Sequence, residues 1–428
     1  MVKNMPMSST FMSVLRNEFI KNVLTLLSWN LLAQVVTLLS IPILTRIYTP
    51  EEFGSVALFI SMVNVFAVAS NGQYDLTIVL PKRNGQAFHL LIGSIIITLI
   101  FSTITLFFVF IFFDKLTDSF ESTVYRKIIW LLPLAVFFFG SHKSLASWFN
   151  RSRSYRVIGV NRLVQNTGQT TVRLGKGVFS NGHWGLVTGY IAGEIISWIV
   201  MFLQLFKKEF WRLKYISGKS ILKMFREYLN FPLFLMPMGI LNALSTNLLV
   251  FALSLVTSST IVGHYERSFR VVTFPLSLIS SSFGSVFYEK MNRTTNRRKF
   301  YVFSYFGNFF LAVLILFPIA IWGEAIFVFV LGAEWNVAGK IAKYILPLTV
   351  FGFATQCVSA IFSVVKKNQI LLIWQILYLG LAISWIVFAE KFDVYFLLKV
   401  YSWGGALMYF LLAIIGFLKI DRNELVKS

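Results

Sequence analysis

Seven charged side chains stand inside long apolar stretches of this sequence, which makes them the first candidates for chemistry. Four are basic and three are acidic: Lys143, Arg162, Arg267 and Arg270, and Asp75, Glu194 and Glu266. A charge at the centre of a membrane-spanning helix costs about 2.5–3.5 kcal/mol even on the most lenient scale. Each side chain must therefore face a polar interior, pair with an opposite charge or reach the membrane surface. Buried cations suit an anionic ligand, and buried carboxylates suit proton exchange.

Three of the seven lie close together on one predicted helix. Arg267 and Arg270 are three residues apart, and Glu266 precedes Arg270 by four, so the side chains are neighbours on a helical face. Arg270 lies deep in its segment, about 15 Å from the start at 1.5 Å per residue. Two interpretations remain open: a Glu266–Arg270 pair that only neutralises itself, or a phosphate-binding surface. The second arginine leaves net positive charge, which favours binding.

The predicted span over residues 156–178 is the most polar one in the chain. Besides Arg162 it holds Asn161, Gln165, Asn166, Gln169, Thr170 and Thr171. A lipid-facing helix would not carry this set, so we expect Arg162 to line a watery cavity. Lys143 stands beside Ser141 and His142 near the end of its span. Its ammonium group can either bind an anion or extend to the membrane surface.

Three carboxylates are candidates for ion coupling: Glu194, Asp75 and Glu266. Glu194 lies about midway along a predicted span, where burial favours the neutral form of a carboxyl group. It follows a ladder of small residues spaced by four, Gly185, Gly189 and Gly193, which predicts the close approach of another helix. For Asp75, nearer the predicted cytoplasmic surface, pairing with Lys82 or Arg83 is the alternative to ion coupling.

Metal and cofactor chemistry finds no support in the sequence. The histidines His89, His142, His183 and His264 are scattered over the chain without ligand spacing. Cys357 is the single cysteine, so neither a disulfide frame nor a cysteine metal site can form. We therefore predict no metal, no cofactor and no catalytic residue.

The elements that must position these residues are membrane-spanning helices. Of the 428 residues 57% are apolar and 13% are charged, against about 45–50% and 25% in soluble domains. This composition excludes a soluble enzyme, and continuous apolar blocks such as Ile95–Phe113 exclude a β-barrel. The blocks predict an all-α polytopic membrane protein with about twelve spans: 22–47, 54–80, 88–113, 128–149, 156–178, 184–206, 231–256, 260–288, 300–322, 341–364, 369–389 and 395–418.

The distribution of Lys and Arg predicts the orientation of these spans. The formal net charge is +21, which in a soluble protein would suggest nucleic acid. Here alternate loops carry 25 basic residues on one side and ten on the other. Cytoplasmic loops are enriched in Lys and Arg, so we expect both termini in the cytoplasm and no nucleic-acid partner. This asymmetry holds along the whole chain only if the polar fifth span, residues 156–178, is counted as crossing the membrane.

A short internal repeat divides the chain into two halves. The segment from Trp130 to Phe139, with Pro133, returns 214 residues later from Tyr344 to Phe353, with Pro347. Six spans per half give copies of the same orientation, as in transporters built from parallel repeats. We predict an N-terminal six-helix lobe at 1–206, an amphipathic cytoplasmic linker at 207–230 and a C-terminal six-helix lobe at 231–428, around a central cavity.

Four segments give the sequence a family resemblance. They are Arg46-Ile-Tyr-Thr-Pro50-Glu-Glu-Phe53-Gly54, Tyr74-Asp75, Gly263-His-Tyr265-Glu-Arg267-Ser-Phe-Arg270-Val-Val-Thr-Phe-Pro275 and Gly332-Ala-Glu-Trp335-Asn. The chain resembles, over almost its whole length, bacterial polysaccharide flippases of the O-antigen type. These belong to the multidrug/oligosaccharidyl-lipid/polysaccharide exporter (MOP) superfamily.

The resemblance implies a function and its partners. A flippase of this type moves undecaprenyl-diphosphate-linked oligosaccharide from the inner to the outer leaflet of the bacterial inner membrane by alternating access, coupled to an ion. For such a cargo, the basic residues of this sequence that we predict to bind substrate are Arg162, Arg267, Arg270, Lys143 and Arg46. The implied partners are the lipid-linked glycan, membrane lipids, a polysaccharide polymerase and a chain-length regulator.

Two other functions remain open at the level of sequence. A multidrug or small-molecule exporter of the same superfamily is the nearer alternative, and the arginine set argues against it because such an exporter suits a less cationic cavity. A membrane glycosyltransferase or polymerase is the enzymatic alternative. It would be expected to have a sizeable periplasmic loop, whereas the longest outer loop here, Asp114–Lys127, is short and charge-balanced.

Overall fold

The protein is all-helical throughout the part of the chain that its computed structural model describes. That part comprises residues 28–29, 31–118, 123–179, 184–294, 296–365, 367 and 369–420, and it contains no β-strand. The all-α prediction is confirmed. The termini, residues 1–27 and 421–428, were predicted to be cytoplasmic and lie outside the described residues, as do Lys366 and His183.

The helices follow one another with short connections. The first nine are α1 (Leu31–Ile47), α2 (Pro50–Ala69), α3 (Asn84–Asp118), α4 (Thr123–Ile128), α5 (Leu132–Arg151), α6 (Tyr155–Phe179), α7 (Trp184–Glu209), α8 (Gly218–Glu227) and α9 (Met236–Val256). The other six are α10 (Ser259–Arg293), α11 (Arg297–Leu331), α12 (Asn336–Val358), α13 (Ile361–Val364), α14 (Gln369–Ala389) and α15 (Val394–Leu418).

Nine helical segments in the described ranges are long and apolar enough to cross a membrane. They contain α2, α3, α5, α7, α9, α11, α12, α14 and α15. Three more helices coincide with the remaining predicted spans: α1, which is shorter, and α6 and α10, whose charged and amide side chains lower their hydropathy. The set is consistent with the twelve predicted spans and identifies a multi-pass membrane protein.

The second span differs from its prediction of residues 54–80. Helix α2 ends at Ala69, because the chain turns at Gly72 and Gln73, which both have a φ of 59°. This left-handed conformation suits glycine and ends a helix. A short 3₁₀ helix, Tyr74–Val79, follows. Asp75 therefore lies in a connection between two spans and not inside one.

Helix α8 is the amphipathic element predicted within the linker. One of its sides packs on the protein: Met224 is buried, and the Phe225 ring lies 4.4 Å from the ring of Tyr74. The Tyr74 hydroxyl also donates a hydrogen bond of 3.1 Å to the carbonyl of Phe225. Leu222 remains half exposed. The helix thus anchors the 3₁₀ segment that carries Asp75.

The glycine ladder of α7 brings α6 close, as predicted. A Cβ atom on Gly193 would lie 2.6 Å from the carbonyl oxygen of Gln165, and one on Gly189 would lie 2.9 Å from that of Gln169. Only glycine permits this approach, which is closer than ordinary Cβ contacts. The ladder therefore sets the distance between the helix that carries Asn161 and Gln165 and the helix that carries Glu194.

The chain separates into two compact units. Of the described residues, unit 1 holds those up to Tyr48 and those in 62–117 and 123–240. Unit 2 holds 49–61, Asp118 and everything from Leu241 onward. The first turns of α2 thus group with unit 2. The lobe boundaries predicted at 206 and 231 stay a prediction.

Candidate substrate and ion-coupling sites

The starts of α2 and α10 cross within unit 2 at two glycines. A Cβ on Gly54 would lie 1.7 Å from the carbonyl oxygen of Ser259, and one on Gly263 would lie 1.8 Å from that of Pro50. Helix α2 begins here with a capping box, in which the backbone N–H of Thr49 donates a 2.8 Å hydrogen bond to the carboxylate of Glu52. The crossing joins two of the segments that carry the family resemblance.

A third such segment completes the cluster around Arg267. The guanidinium of Arg267 lies over the ring of Phe53, 4.2 Å from its centroid, and Phe53 packs edge-on against Trp335 at 5.4 Å. The Arg267 Nε group donates a 2.7 Å hydrogen bond to Glu266. Arg267 is buried and Trp335 is fully enclosed. Arg267 therefore packs against Phe53 and holds the carboxylate of Glu266 in position.

Arg270 stands on the open side of this cluster. Its Nε group donates to the other carboxylate oxygen of Glu266, but its side chain is 49% exposed, whereas that of Arg267 is 10% exposed. Two guanidinium groups share one carboxylate, so these three residues carry one excess positive charge. The structure thus distinguishes the two arginines that the sequence grouped together: Arg267 is enclosed and Arg270 is accessible.

Glu194 lies at the centre of a buried polar network in unit 1. Its Oε1 atom is 2.5 Å from Nδ1 of His142 on α5, and Gln165 on α6 donates its amide to Oε2. Only 1% of the Glu194 residue is exposed. Both carboxylate oxygens are therefore held by side chains from two neighbouring helices.

The other ring nitrogen of His142, Nε2, also lies close to polar side chains. The amide of Asn161 donates to Ser197 Oγ at 2.6 Å, and Nε2 of His142 lies 3.2 Å from the Asn161 amide nitrogen and 3.3 Å from Ser197 Oγ. The amide oxygen of Asn161 is buried and has no hydrogen-bond partner in the described part of the chain. Sequence reasoning missed the role of His142, because it lies 52 residues from Glu194.

Lys143 and Asp75 extend the charged region of unit 1. Lys143 interacts electrostatically with both Asp75 and Glu194. Asp75 is 7% exposed, and its charged neighbour is Lys143, whereas the sequence had suggested Lys82 or Arg83. A partly buried lysine near two carboxylates is compensated in place, so it does not need to reach the membrane surface.

The remaining two predicted substrate residues are exposed side chains of unit 1. Arg162 lies on α6, one residue after the buried Asn161, and Arg46 lies near the end of α1. The positions of Arg162 and Arg46 neither support nor contradict their predicted role in substrate binding. The assignment of all eight site residues stays a prediction.

Unit 2 also contains a cavity of about 630 Å³ that sequence reasoning did not identify. One face of each of five helices lines it: α9, α10, α12, α14 and α15. The available signal was a set of hydroxyl and amide side chains inside apolar spans, such as Asn242, Thr246, Gln356 and Gln375. A single hydroxyl or amide group is common in a membrane-spanning helix, so no one of these residues indicated a binding site.

Comparison with known proteins assigns both family and fold. No curated protein matches the sequence. Among solved structures, an inward-facing multidrug-resistance MATE transporter of the MOP superfamily has a TM-score of 0.68 at 16% identity, covering 90% of this chain and 93% of that one. The outward-facing form of a multidrug-resistance MATE transporter has a TM-score of 0.60 at 15% identity, covering 93% of this chain and 94% of that one.

A third solved structure is a MOP-superfamily transporter from Pyrococcus furiosus, described as having a binding pocket of reversed polarity. Its TM-score is 0.60 at 15% identity, and the match covers 93% of this chain and 94% of that one. At such identities the likeness shows the fold. The family model for polysaccharide biosynthesis proteins matches residues 43–340. The chain therefore belongs to the polysaccharide biosynthesis protein family and has the fold of MOP-superfamily transporters.

Proposed function

We propose that the protein is a flippase for undecaprenyl-diphosphate-linked oligosaccharide, of the kind that supplies O-antigen or a similar surface polysaccharide. It transfers the cargo from the cytoplasmic to the periplasmic leaflet of the bacterial inner membrane by alternating access. Both termini are expected to be cytoplasmic. A polysaccharide polymerase and a chain-length regulator are the expected partners on the product side.

The arrangement of Arg270, Arg267 and Glu266 is the observation that carries this proposal. The enclosed Arg267 holds Glu266 through a 2.7 Å hydrogen bond, and Glu266 in turn holds the half-exposed Arg270. A guanidinium is always charged and its planar fork matches two phosphate oxygens. The excess positive charge of these three residues therefore favours a diphosphate cargo, as does membership in a polysaccharide biosynthesis family.

The network around Glu194 supplies the expected coupling group. Its support is the position of the Glu194 carboxylate, which contacts His142 and Gln165, lies near Lys143 and is enclosed by the protein. Protonation of Glu194 removes one negative charge from this network and alters its bonds to α5 and α6. Such a change favours one of two helix arrangements over the other, which is what coupling requires. Asp75 is the second coupling candidate through its interaction with Lys143.

The multidrug exporter remains the competing function, because the MATE transporters that share the fold are multidrug-resistance proteins. Organic cations would be repelled by the excess positive charge at Arg270, whereas an anionic lipid-linked glycan would be attracted. The two functions therefore differ in the sign of the cargo.

The deciding experiment removes the protein from its host and identifies what accumulates. We expect a lipid-linked oligosaccharide to accumulate in the cytoplasmic leaflet and surface polysaccharide to disappear, both reversed by the wild-type protein. Unchanged lipid-linked sugars, together with raised sensitivity to lipophilic cations, would contradict the proposal and indicate an exporter.

A further inference from the structure

The cavity of unit 2 has a lining that differs in chemistry from the cationic cluster beside it. Its volume of about 630 Å³ falls within the roughly 300–1,000 Å³ of small-molecule sites. No charged side chain occurs among the described residues that line it. The lining consists of hydroxyl, amide, aromatic and a few aliphatic groups. A neutral ligand rich in hydrogen-bonding groups suits such a site.

Three aromatic rings form one side of the cavity. Trp374 stacks on Tyr378 with centroids 5.1 Å apart and planes 20° apart, and Tyr409 lies 5.0 Å from Trp374. The indole N–H of Trp374 donates a 3.0 Å hydrogen bond to the carbonyl of Met408, which fixes the ring. Preorganised aromatic faces of this kind bind the apolar C–H face of a flat ligand while polar groups hold its edge.

Amide side chains face the same cavity. Gln375 donates a 2.9 Å hydrogen bond to the amide oxygen of Asn242, which bridges α14 and α9. Gln356 of α12 also lines the cavity and is exposed to it. An acyl chain would cover the amide of Gln356 and the remaining polar atoms of Gln375 and Asn242 without bonding them, at a cost of roughly 1–3 kcal/mol for each polar group that it buries. An organic cation would find no carboxylate among the described lining residues.

The cavity and the accessible arginine are adjacent on α10. Phe269 lines the cavity, and Arg270 is the next residue, with Cα atoms about 3.8 Å apart. Consecutive residues of a helix project about 100° apart and so serve neighbouring faces. A ligand whose sugar is joined directly to a diphosphate could contact both surfaces at once.

We propose that this cavity is a sugar-binding subsite that holds one or two residues of the glycan while Arg270 holds the phosphates. The sugar ring stacks on the Trp374–Tyr378–Tyr409 surface, and its hydroxyl groups bond the amides of Gln356, Gln375 and Asn242. The inference rests on the proposed function and adds to it the part of the cargo that the arginines do not recognise.

Calorimetric titration of the full chain in lipid nanodiscs tests this subsite with two probes. One is the phosphate-free repeat-unit oligosaccharide released from the host's own polysaccharide, and the other is undecaprenyl diphosphate without sugar. Gln356→Leu should weaken binding of the oligosaccharide by about tenfold and leave undecaprenyl diphosphate unchanged. Arg270→Ala should show the opposite pattern. Gln369→Leu, an exposed glutamine outside the cavity, serves as the matched control.

A second variant guards against loss of folding. Gly352 lines the cavity, and a Cβ atom there would lie 3.5 Å from the ring of Tyr409, an ordinary contact. Gly352→Ala should therefore fold normally, cover part of the aromatic surface and weaken oligosaccharide binding. Unchanged oligosaccharide affinity in both cavity variants would overturn the subsite while leaving the proposed function intact.

Two further outcomes separate the subsite from the proposed function. If the wild type binds neither probe, the proposed function fails and the subsite with it. If tetraphenylphosphonium binds and the cavity variants weaken it without affecting the oligosaccharide, the cavity is a site for organic cations and the subsite is overturned.

Discussion

The Nδ1 atom of His142 lies 2.5 Å from the Oε1 atom of Glu194, which joins α5 to α7 inside unit 1. The two residues are 52 positions apart in sequence. On their own helices, Glu194 has no charged neighbour within one turn, and His142 has only Lys143, the next residue. The contact places a buried carboxylate in a network of polar side chains, which we propose carries the coupling proton. Its loss should therefore affect coupling more than assembly.

We predict that Glu194→Gln abolishes the dependence of transport on the ion gradient. The amide keeps the size and can still bond Gln165 and His142 but cannot exchange a proton. The measurement is glycan translocation in vesicles with and without an imposed proton or sodium gradient. Glu390→Gln, at an exposed position of unit 2, is the control. Wild-type gradient dependence in the Glu194 variant would remove this residue from the coupling mechanism.

The Asp75 and Lys143 interaction predicts non-additive stability effects. Asp75 is buried and Lys143 is the charge that compensates it, so removal of Lys143 leaves the Asp75 carboxylate in an unfavourable environment, and removal of Asp75 leaves Lys143 with Glu194 alone. Asp75→Asn and Lys143→Met should each lower the thermal stability of the purified protein, and the double variant should recover part of the loss. Fully additive losses would mean that the two side chains do not compensate each other.

Two glycines at the α2 and α10 crossing should be intolerant of any side chain. A Cβ atom on Gly54 or Gly263 would lie within 1.8 Å of a backbone carbonyl oxygen. Overpacking of this kind costs about 1–3 kcal/mol or more, so Gly54→Ala and Gly263→Ala should reduce the folded amount in the membrane. Gly380→Ala, where the new methyl group meets nothing within 4 Å, should behave like wild type. Equal yields of all three variants would contradict the crossing geometry.

The predicted orientation is tested by reporters on both sides of α7. A reporter fused after Lys176 should be periplasmic and one fused after Lys214 cytoplasmic, because the Lys and Arg bias places the two loops on opposite sides. If both reporters lie on the same side of the membrane, either α6 or α7 does not span it. The prediction of two six-helix lobes would then be wrong.

Sequence and structure agree most where a pattern has one physical cause. The ladder of Gly185, Gly189 and Gly193 predicts close packing because small residues allow helices to approach in membranes, and α6 packs at Gly189 and Gly193 while Tyr48 packs at Gly185. The end of α2 escaped prediction because Gln73 adopts a left-handed conformation that its residue type does not require. Helix existence was therefore predictable, and this boundary was not.

The candidate substrate site also has a part that could be predicted from the sequence and a part that could not. The charges of Glu266 and Arg270 could be paired from their four-residue spacing, which is local. The stacking of Arg267 on Phe53 joins residues 214 positions apart in sequence and has no local signal. The cavity lining is spread over five helices, so each polar residue was ordinary by itself. Non-local contacts decided which arginine is enclosed and which is accessible.

The most direct test of the central claim is complementation of the deletion strain with alanine and lysine at positions 162 and 270, with membrane insertion measured in parallel. Arg270→Ala and Arg162→Ala should reduce surface polysaccharide by roughly tenfold or more at normal insertion. Arg270→Lys should fall between Ala and wild type, because it keeps the charge but loses the planar fork. Arg126→Ala, which changes a half-exposed arginine of α4, should have no effect. Full surface polysaccharide from both alanine variants at normal insertion would contradict the account and show that these arginines do not bind the phosphates.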